Sequence, residues 1–540
     1  MMRQPLPEAD MTDTGRSPLS GPLFLGERVR GETRTRPIPG IRTGVLVLRL
    51  LLLTAFLSGL QTPAAAADWA FDVQFSESVR TEPYTGRVYL FFSQTRPEPR
   101  TGPGWFRPEL FVSKDVEGWK PGTTLRIASS DARLLAFPGS PADWDLAGFR
   151  VQAVTRFNSW ERNIGTGAGN GYSAAVAAAA DPQSPPLLTI DRLVEPRTFV
   201  ETRWTKQFRV RSELLSRFHQ REVWLEAAVT LPASYHDEPE RRYPTIFEIP
   251  GFGGTHFDRI AAEPRPVRND KGVEFLHVML DPSGPLGHHV FADSENNGPV
   301  GQALVSELIP AFDRAFRSVP APTARFLTGH SSGGWSSLWL QVTYPDHFGG
   351  TWSTAPDPVD FRDFQQINLY RPGENMYVDR HGERRPIARR NGDVLLWYDR
   401  FDRMEQVLGH GGQLHSFEAV FSPRGANGRP KRLWNRETGA IDPEVARAWE
   451  RFDIRLILER NWDTLGPRLR GKLHVFMGNA DTFYLEGATR RLGESLDRLG
   501  SDAVVEMHPD KDHFNLLTRE LVTRIEQEMA ETFLANHDGK

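Results

Sequence analysis

The chain has 540 residues, a formal net charge of −4 and no cysteine. This balance excludes a strongly basic or acidic surface, so nucleic acid is not an expected partner. The absence of cysteine excludes disulfides, thiolate catalysis and Cys-based zinc sites. The length exceeds that of one ordinary domain and predicts two globular domains plus extensions.

The first 67 residues predict a disordered N-region followed by a secretory signal peptide. An apolar run over 45–57 precedes Ala64–Asp68, which fits an A-x-A type cleavage site. The run is short for a membrane-spanning helix, and Arg49 interrupts it. We therefore expect cleavage after Ala67, no stable membrane span afterwards, and a periplasmic or extracellular protein.

Residues 68–205 predict a small β-sandwich domain. Its short strand patterns are separated by loops that carry proline and glycine. The glycine-rich stretch Gly165–Gly171 fits neither phosphate-loop pattern, so we expect a linker or mobile loop there. The predicted strands cover 87–93, 109–113, 124–128 and 149–154.

Residues 206–540 predict an α/β domain, because strand and helix patterns alternate along them. Such alternation is typical of a mostly parallel sheet with helices on both faces, which binds ligands beyond the carboxyl ends of its strands. An insertion at about 358–469, with its clearest helix over 443–461, is expected to form a cap over the site. Other helices are predicted over 301–316 and 516–536.

The stretch Gly329-His330-Ser331-Ser332-Gly333 matches G-x-S-x-G between a strand pattern and a helix pattern. This is the context of a nucleophile elbow, a sharp turn that presents the serine hydroxyl at a helix N-terminus. The free N–H groups there favour a developing oxyanion. We predict Ser331 as a catalytic nucleophile; the alternative is a serine that only caps the helix.

A serine nucleophile needs a base, and the base needs a third group that orients it. In elbow-type enzymes the chain order is Ser, then Asp or Glu, then His. Asp481 follows the strand pattern 473–477, and His513 stands in the loop before the last helix, so they are the predicted acid and base. Alternatively, Asp481 only caps the helix near Gly487–Leu499, and His513 is an ordinary residue at a helix N-terminus. Three rivals remain, one base and two acids: His508, Asp512 and Glu486.

An oxyanion hole needs two backbone N–H donors. One is expected from Ser332, the residue after the nucleophile. The other is expected from the loop Pro250–Gly254, where we favour the amide of Phe252 over that of Gly253. The alternative is a flexible turn without a role in chemistry.

Residues near the elbow and the acid are candidates for substrate binding, namely Gly253, Trp335 and Tyr484. Core packing is the alternative for each aromatic. His288 and His289 are adjacent and lack a spaced partner, so they predict a loop that lines the site rather than a zinc site. Neither a metal nor an organic cofactor is expected.

Five motifs of the second domain resemble the putative-esterase family of α/β-hydrolases. That family contains S-formylglutathione hydrolase (esterase D), feruloyl esterases, enterochelin esterase and mycolyltransferases. The resemblance covers about 220–360 well and 470–535 in outline. The motifs are Arg242-Tyr243-Pro244, Gly251–Gly254, Glu307–Pro310, Gly329–Gly334 and Tyr344–Phe348.

The resemblance implies an α/β-hydrolase fold and a triad matched here by Ser331, Asp481 and His513. It also implies oxyanion donors at Phe252 and Ser332, and an immunoglobulin-like N-terminal domain similar to that of enterochelin esterase-type proteins. Ser332 stands where the family usually has Met, and Pro250-Gly251 stands where it has His-Gly. The long insertion also departs from the small family members. These departures concern the substrate rather than the chemistry.

Together these patterns predict a secreted or periplasmic serine hydrolase that cleaves small-molecule or polymer-linked carboxylic esters through an acyl-enzyme. The alternatives are a serine peptidase or an acyltransferase on the same fold, or a non-catalytic binding protein. A peptidase of the oligopeptidase type typically carries a propeller, which the N-terminal domain is too short to build. The three triad candidates, present in the required order, argue against a binding protein.

Overall fold

The computed structural model describes residues 68–178 and 182–537, which belong to one compact unit beginning at Ala66. The predicted N-region and signal peptide, residues 1–67, therefore lie outside the described residues. Within the described ranges, no helix is long and apolar enough to cross a membrane.

The N-terminal region is a nine-stranded sheet. Its strands are β1 (Ala70–Phe75), β2 (Tyr84–Ser93), β3 (Phe111–Trp119), β4 (Leu125–Ala128), β5 (Leu135–Phe137), β6 (Arg150–Thr155), β7 (Gly171–Ser173), β8 (Val176–Ala177) and β9 (Leu187–Leu193).

These nine strands follow the order β4-β1-β9-β7-β6-β2-β3-β5, with β8 paired to β6. Alternation defines the core: Phe71, Val73 and Phe75 of β1 are buried, whereas Asp72 between them is half-buried. The four predicted strands are confirmed. The strands form one hydrogen-bonded path, and a two-layer, immunoglobulin-like sandwich stays a prediction.

The glycine-rich stretch 165–171 is not a linker, which corrects the sequence prediction. A Cβ atom on Gly165 would lie 1.7 Å from the carbonyl oxygen of Arg100, so only glycine fits there. Asn170 is buried and donates from Nδ2 to the carbonyls of Asn163 and Ile164, at 2.9 and 3.0 Å. The stretch is therefore a packed loop that leads into β7.

The second region contains an eight-stranded sheet and two small hairpins. Its strands are β10 (Thr205–Arg211), β11 (Trp224–Thr230), β12 (Thr245–Ile249), β13 (Leu276–Leu280), β14 (Ser283–Gly284), β15 (Gly287–His288), β16 (Arg325–His330), β17 (Gly350–Thr354), β18 (Pro386–Arg390), β19 (Asp393–Trp397), β20 (Leu473–Gly478) and β21 (Val504–His508).

The large sheet has the order β10-β11-β13-β12-β16-β17-β20-β21, while β14–β15 and β18–β19 pair separately. From β13 to β21 every pairing in this sheet is parallel. Ile249 lies opposite Gly329, and His330 lies opposite Thr354, so the loops that follow β12, β16 and β17 leave the sheet side by side. The predicted parallel sheet is confirmed, and it agrees with an α/β-hydrolase fold.

Helices cover both faces of this sheet, as the pleat requires. Ile246 belongs to the apolar cluster beneath the last helix, whereas its neighbour Phe247 belongs to the cluster on the opposite face. The helices are α1 (Glu213–His219), α2 (Val300–Ala303), α3 (Ile309–Ala315), α4 (Ser332–Thr343), α5 (Tyr398–Leu408), α6 (Gln413–Phe421), α7 (Pro443–Trp449), α8 (Ile454–Leu469), α9 (Glu486–Arg498) and α10 (Arg519–His537).

Two predicted helices are interrupted. The helix expected over 301–316 contains a π-helical turn, Leu304–Leu308, between α2 and α3. The helix expected over 443–461 divides into α7 and α8, because Asp453 takes an extended backbone and its side chain accepts from the amide of Leu456. An Asp at that position caps a new helix rather than continuing the old one.

The insertion, residues 358–469, packs against the N-terminal sheet as well as against α4. Phe91 and Phe111 of the N-terminal sheet share one buried apolar cluster with Phe401 of α5 and Trp339 of α4. The carbonyl end of α5 is capped from the N-terminal sheet, where a cation and hydroxyl donors complement the helix dipole. The bonds are Arg87 to Gln406, Ser113 to Val407 and Tyr89 to Leu408, at 2.7, 2.8 and 2.7 Å.

Candidate active site

Ser331 occupies a strained turn between β16 and α4. Its φ of 62° and ψ of −126° are rare for a residue with a side chain. Its amide donates to the carbonyl of Thr354 at 3.0 Å, which ties the turn to β17. A Cβ on Gly329 would lie 2.2 Å from the carbonyl oxygen of Gly333, so the strand and the helix can meet this closely only through glycine.

His513 and Asp481 form the predicted pair at the same edge of the sheet. The two residues are buried, and the His513 Nδ1 atom lies 2.8 Å from Asp481 Oδ2. The other carboxylate oxygen of Asp481 accepts from the amide of Phe483 at 2.8 Å. The acid is thus held from both sides, and it orients the imidazole.

His330, which precedes the nucleophile, connects the elbow to the histidine loop. Its Nε2 donates to the carbonyl of His513 at 2.9 Å, and the two imidazole centroids lie 4.7 Å apart. The His513 ring therefore lies against the elbow. Among the described residues, Ser331 Oγ makes no hydrogen bond. Hydrogen bonds between catalytic groups commonly tighten only when substrate binds.

The protonation of His513 depends on two opposing effects. Burial lowers its pKa, but the charge and the hydrogen bond of Asp481, together with the charges of Asp357 and Asp512, raise it more, so the net pKa lies above the ordinary value. For His330, burial and the neighbouring His513 lower the pKa to about 3. His330 is therefore neutral near pH 7 and serves as a hydrogen-bond donor, while His513 is placed to gain and lose a proton.

The three rivals named from the sequence have other partners. His508 ends β21 and lies 3.6 Å from the carboxylate of Glu506. Glu486 forms an ion pair with Arg389 of the insertion at 2.5 Å. Asp512 accepts from the backbone amides of the turn that follows it.

The loop after β12 lies directly beside the nucleophile. A Cβ on Gly251 would stand 3.4 Å from Ser331 Cβ and 3.9 Å from its Oγ. Within the described part of the chain, no protein acceptor takes the N–H of Phe252 or of Ser332. Both amides that the sequence nominates as oxyanion donors are thus unused by the fold.

His288 fixes the position of this loop. Its Nδ1 accepts from the amide of Val290 at 3.1 Å, so Nε2 carries the proton and donates to the carbonyl of Pro250 at 3.0 Å. Burial lowers the pKa of His288 to about 4, which keeps the ring neutral. The sequence predicted a loop that lines the site, and the contact gives His288 a specific role.

The side chain of Ser332 binds a buried carboxyl group. Its hydroxyl donates to Asp357 Oδ2 at 2.5 Å, and Gln413 of α6 donates to the same oxygen at 3.4 Å. Burial raises the pKa of Asp357 to about 6. Sequence reasoning missed Asp357 and Gln413, because the partner of a serine hydroxyl cannot be inferred from an isolated Asp after β17.

An aromatic wall borders the site, defined here as Trp105, Phe106, Phe252, Phe483 and Phe514. Trp105 lies 5.4 Å from Phe252, and Phe106 stacks on Phe483 at 6.2 Å, measured between ring centroids. Phe483 meets the ring of His513 edge-on at 4.9 Å. Phe514 is 58% exposed, so the wall faces solvent.

Two members of the wall come from the N-terminal region, and the sequence analysis missed them. Trp105 and Phe106 are adjacent in a loop bounded by Gly104 and Pro108, and both are half-buried. Adjacent aromatics between a glycine and a proline are a signal that could have marked an exposed contact. Nothing in the sequence indicated which site the side chains of Trp105 and Phe106 would contact.

The predicted substrate-binding residues differ in position. Gly253 is exposed in the loop after β12, with φ of 97°. Trp335 is 1% exposed and stacks on Trp339 at 5.1 Å, which favours the core-packing alternative. Tyr484 is also buried, and the guanidinium of Arg389 lies 4.4 Å from its ring. Of the three, only Gly253 borders open space beside the elbow.

Among residues 68–178 and 182–537 there is no group of three or more His, Cys, Asp or Glu residues that could hold a metal ion.

Comparison with known proteins adds a family and three structural likenesses. Residues 222–406 match the family model described as "Putative esterase". No curated protein matches the chain by sequence.

Solved structures that resemble the chain include a ferulic acid esterase, 12% identical over 61% of this chain and 99% of that one, with a TM-score of 0.37. Another is S-formylglutathione hydrolase from Agrobacterium tumefaciens, 14% identical over 61% and 94%, with a TM-score of 0.35. A third is dipeptidyl peptidase 4 of Porphyromonas gingivalis, 12% identical over 78% of this chain and 48% of that one, with a TM-score of 0.36.

The family match, rather than these distant structural likenesses, confirms the resemblance seen in the motifs. It includes the loop after β12, the elbow and α4. Residues 222–406 are thus similar to the putative esterases, and this similarity supports a carboxylic ester hydrolase.

Proposed function

We propose that the protein is a serine esterase in which Ser331 is the nucleophile, His513 the general base and Asp481 the acid that orients it. The amides of Phe252 and Ser332 are the oxyanion donors in this proposal. The observation that carries it is the 2.8 Å bond between buried His513 and Asp481, held against the strained turn of Ser331.

In the first half-reaction, Ser331 Oγ attacks the ester carbonyl carbon while His513 Nε2 accepts the hydroxyl proton. The carbonyl oxygen becomes an oxyanion, which two preset N–H donors stabilise without reorganising. The Asp481 carboxylate stabilises the imidazolium through Nδ1. The tetrahedral intermediate then expels the alcohol, which takes the proton from His513.

In the second half-reaction, water attacks the acyl-enzyme while His513 again accepts a proton. The same donors hold the second oxyanion, and the proton returns to Ser331 Oγ as the acid leaves. Because His513 must be neutral at the start of each half, activity should rise with pH through its pKa. That pKa lies above the ordinary value of a histidine, since the neighbouring carboxylates, Asp481 first among them, together outweigh burial.

The N-terminal sheet, residues 68–205, is proposed to be an immunoglobulin-like β-sandwich, and the protein to act in the periplasm or outside the cell. Support for the location comes from the signal-like sequence before Asp68. Acyl transfer and peptide hydrolysis use the same elbow, so substrate assays must separate them from ester hydrolysis.

A fluorophosphonate probe tests the nucleophile. Purified protein should become covalently labelled, and the Ser331→Ala variant should not. The adjacent Ser332→Ala variant is the matched control: it loses a hydroxyl in the same turn but keeps its backbone amide, so labelling should persist. Labelling that survives in Ser331→Ala would contradict the proposal. A panel of p-nitrophenyl esters, feruloyl esters and peptide amides then separates esterase from peptidase.

A further inference from the structure

Arg162 brings a cation from the N-terminal region to the loop after β12. Its guanidinium carbon lies 4.9 Å from the centroid of the Phe252 ring. Its Nη2 atom lies 3.8 Å from the position that a Cβ on Gly253 would take. The loop that supplies a proposed oxyanion donor is therefore flanked by a positive charge.

This guanidinium has no ion pair and no hydrogen bond with any described residue. Arg156, six residues earlier in the chain, is different: it donates to the carbonyls of Glu161 and His410 at 2.9 and 2.8 Å. Burial lowers the pKa of Arg162. A partly desolvated cation without a partner is costly, so it is typical of a site that a ligand completes.

The acidic residues nearest to the Arg162 guanidinium form no ion pair with it. Asp281 favours its charged form from a distance, but this carboxylate is engaged by His256 Nδ1 at 2.6 Å and by the amide of Ser283 at 2.8 Å. Asp258 accepts from the amide of Thr255 at 2.8 Å. The preceding Glu161 forms no ion pair with Arg162 either. The five N–H donors of Arg162 are free to bind an anion.

The surroundings of Arg162 favour a substrate group over a structural ion. The Phe252 ring contacts both the guanidinium and Trp105, whose ring centroid is 5.4 Å from that of Phe252. Gly253 is exposed and has no side chain to cover the approach. The cation and the aromatic wall therefore both contact the loop after β12, and Gly251 of that loop borders the nucleophile.

We propose that Arg162 binds a carboxylate carried by the ester substrate, while Trp105 and Phe106 hold an apolar part of the same molecule. This inference rests on the proposed esterase function and narrows its substrate class to anionic esters. A guanidinium matches a carboxylate through two parallel N–H···O bonds, which gives orientation as well as affinity.

Matched pairs of esters test this proposal. One pair carries the charge on the acyl side (p-nitrophenyl hemiglutarate and its neutral methyl ester), the other on the alcohol side (4-acetoxybenzoate and its methyl ester). Wild-type protein should prefer the anionic member of at least one pair. In Arg162→Met, kcat/KM for that member should fall about tenfold to a hundredfold, with the neutral member changed less than about twofold.

Two further variants keep the test decisive. Arg162→Lys keeps the positive charge but lacks the planar guanidinium that can pair with both carboxylate oxygens. It should therefore retain more of the preference for the anionic ester than Arg162→Met does. Arg197→Met is the matched control, because Arg197 also lies over an aromatic ring, 4.2 Å from Phe257, and should leave the preference unchanged. Equal kcat/KM for both members in wild-type protein, or an equal loss for both in Arg162→Met, would overturn the proposal.

Failure of the anion site is distinguishable from failure of the esterase function. Wild-type protein that takes no fluorophosphonate label at Ser331 would refute the function, whereas intact labelling of wild-type protein without charge preference refutes only the anion site. Binding of the anionic ester that wild-type protein prefers, either p-nitrophenyl hemiglutarate or 4-acetoxybenzoate, is measured on Ser331→Ala by calorimetry and needs no turnover. Adding Arg162→Met to that variant should weaken binding at least tenfold, and unchanged binding would contradict the proposal.

Discussion

The rim of the large sheet, meaning the loops that follow the carboxyl ends of its parallel strands, and the N-terminal region contribute to the same site in different ways. The rim supplies short loops after parallel strands, held by backbone geometry such as the strained turn of Ser331. The N-terminal region supplies side chains that reach across, namely Trp105, Phe106 and Arg162. We infer from this difference that the loops of the rim carry out the reaction, whereas side chains of the N-terminal region recognise the substrate.

Different parts of the second region hold the loops of the rim in place. His288 donates to the carbonyl of Pro250 in the loop after β12, and His330 donates to the carbonyl of His513. The contacts of the insertion with the rim include Gln413 near Ser332 and Arg389 at the carbonyl of Asp481. Variants at the rim should therefore reduce kcat, whereas variants of the outside residues should change which ester is preferred.

Asp481→Asn should have the largest effect. Loss of the carboxylate leaves the imidazolium unsupported, and kcat should fall about 10³- to 10⁴-fold. Residual activity should show its acidic limb at lower pH, because Asp481 raises the pKa of His513. Stopped-flow or end-point assays with a p-nitrophenyl ester over pH 5 to 9 measure both. Glu486→Gln, at the rival acid, should keep kcat within a fewfold, and equal losses in the two variants would contradict the assignment.

His288→Ala should reduce kcat by about tenfold to a hundredfold, because the carbonyl of Pro250 loses its donor and the oxyanion loop loses its position. His289→Ala is a matched control: His289 is equally buried, but its Nδ1 accepts from the amide of Phe291 instead. Steady-state kinetics on both variants, with circular dichroism to check folding, decide the point. A similar fall in both would assign His288 to packing alone.

Trp105→Ala should raise KM for esters with an aromatic group about tenfold and leave acetyl esters nearly unchanged, since it removes half-buried apolar surface from the aromatic wall. Trp160→Ala, a half-buried tryptophan of the same region that contacts His219, is the control. If Trp105→Ala lowers kcat for every ester alike, Trp105 supports the rim, and the division between chemistry and recognition fails.

The smallest effect should be on stability. Burial raises the pKa of Asp357 to about 6, so the folded protein holds this proton more tightly than the unfolded chain. That contribution is complete below about pH 4 and is lost as pH rises through 6, at a cost of about 2–3 kcal/mol. Asp357→Asn removes the titration but keeps an acceptor for Ser332.

The Tm of Asp357→Asn relative to wild type should therefore rise by a few degrees between pH 4 and pH 6 and stay level above. Differential scanning calorimetry across this range measures the difference. A constant offset for Asp357→Asn at all pH values would mean that its carboxyl group does not titrate as described.

Much of the rim was predictable from sequence, because its residues directly follow strand patterns and occur in a fixed order along the chain. A parallel sheet places each strand's carboxyl end at one edge, so Ser331, Asp481 and His513 could be nominated from their positions after strand patterns. The structure brings Asp481 and His513 into hydrogen-bond contact beside the elbow. Their roles remain predictions that the variants test.

The contacts of Trp105 and Arg162 with Phe252 were not predictable from the sequence, because no local pattern relates residues so far apart in the chain. Their proximity depends on how the N-terminal sheet packs against the insertion, which is a tertiary property. The break between α7 and α8 shows a milder case: the helical pattern continued through Asp453, and the competing cap was overlooked. The packed stretch 165–171 is similar, since glycine permits close packing as readily as it permits flexibility.

The capping of α5 by Arg87, Ser113 and Tyr89 has a practical consequence for dissecting the protein. A fragment starting at residue 206 would leave three carbonyls without donors and expose the faces of Phe401 and Met404 that share a cluster with Phe91 and Phe111. We expect such a truncation to be insoluble or aggregated. The contacts of the N-terminal sheet with α5 thus predict that residues 206–540 need this sheet in order to fold.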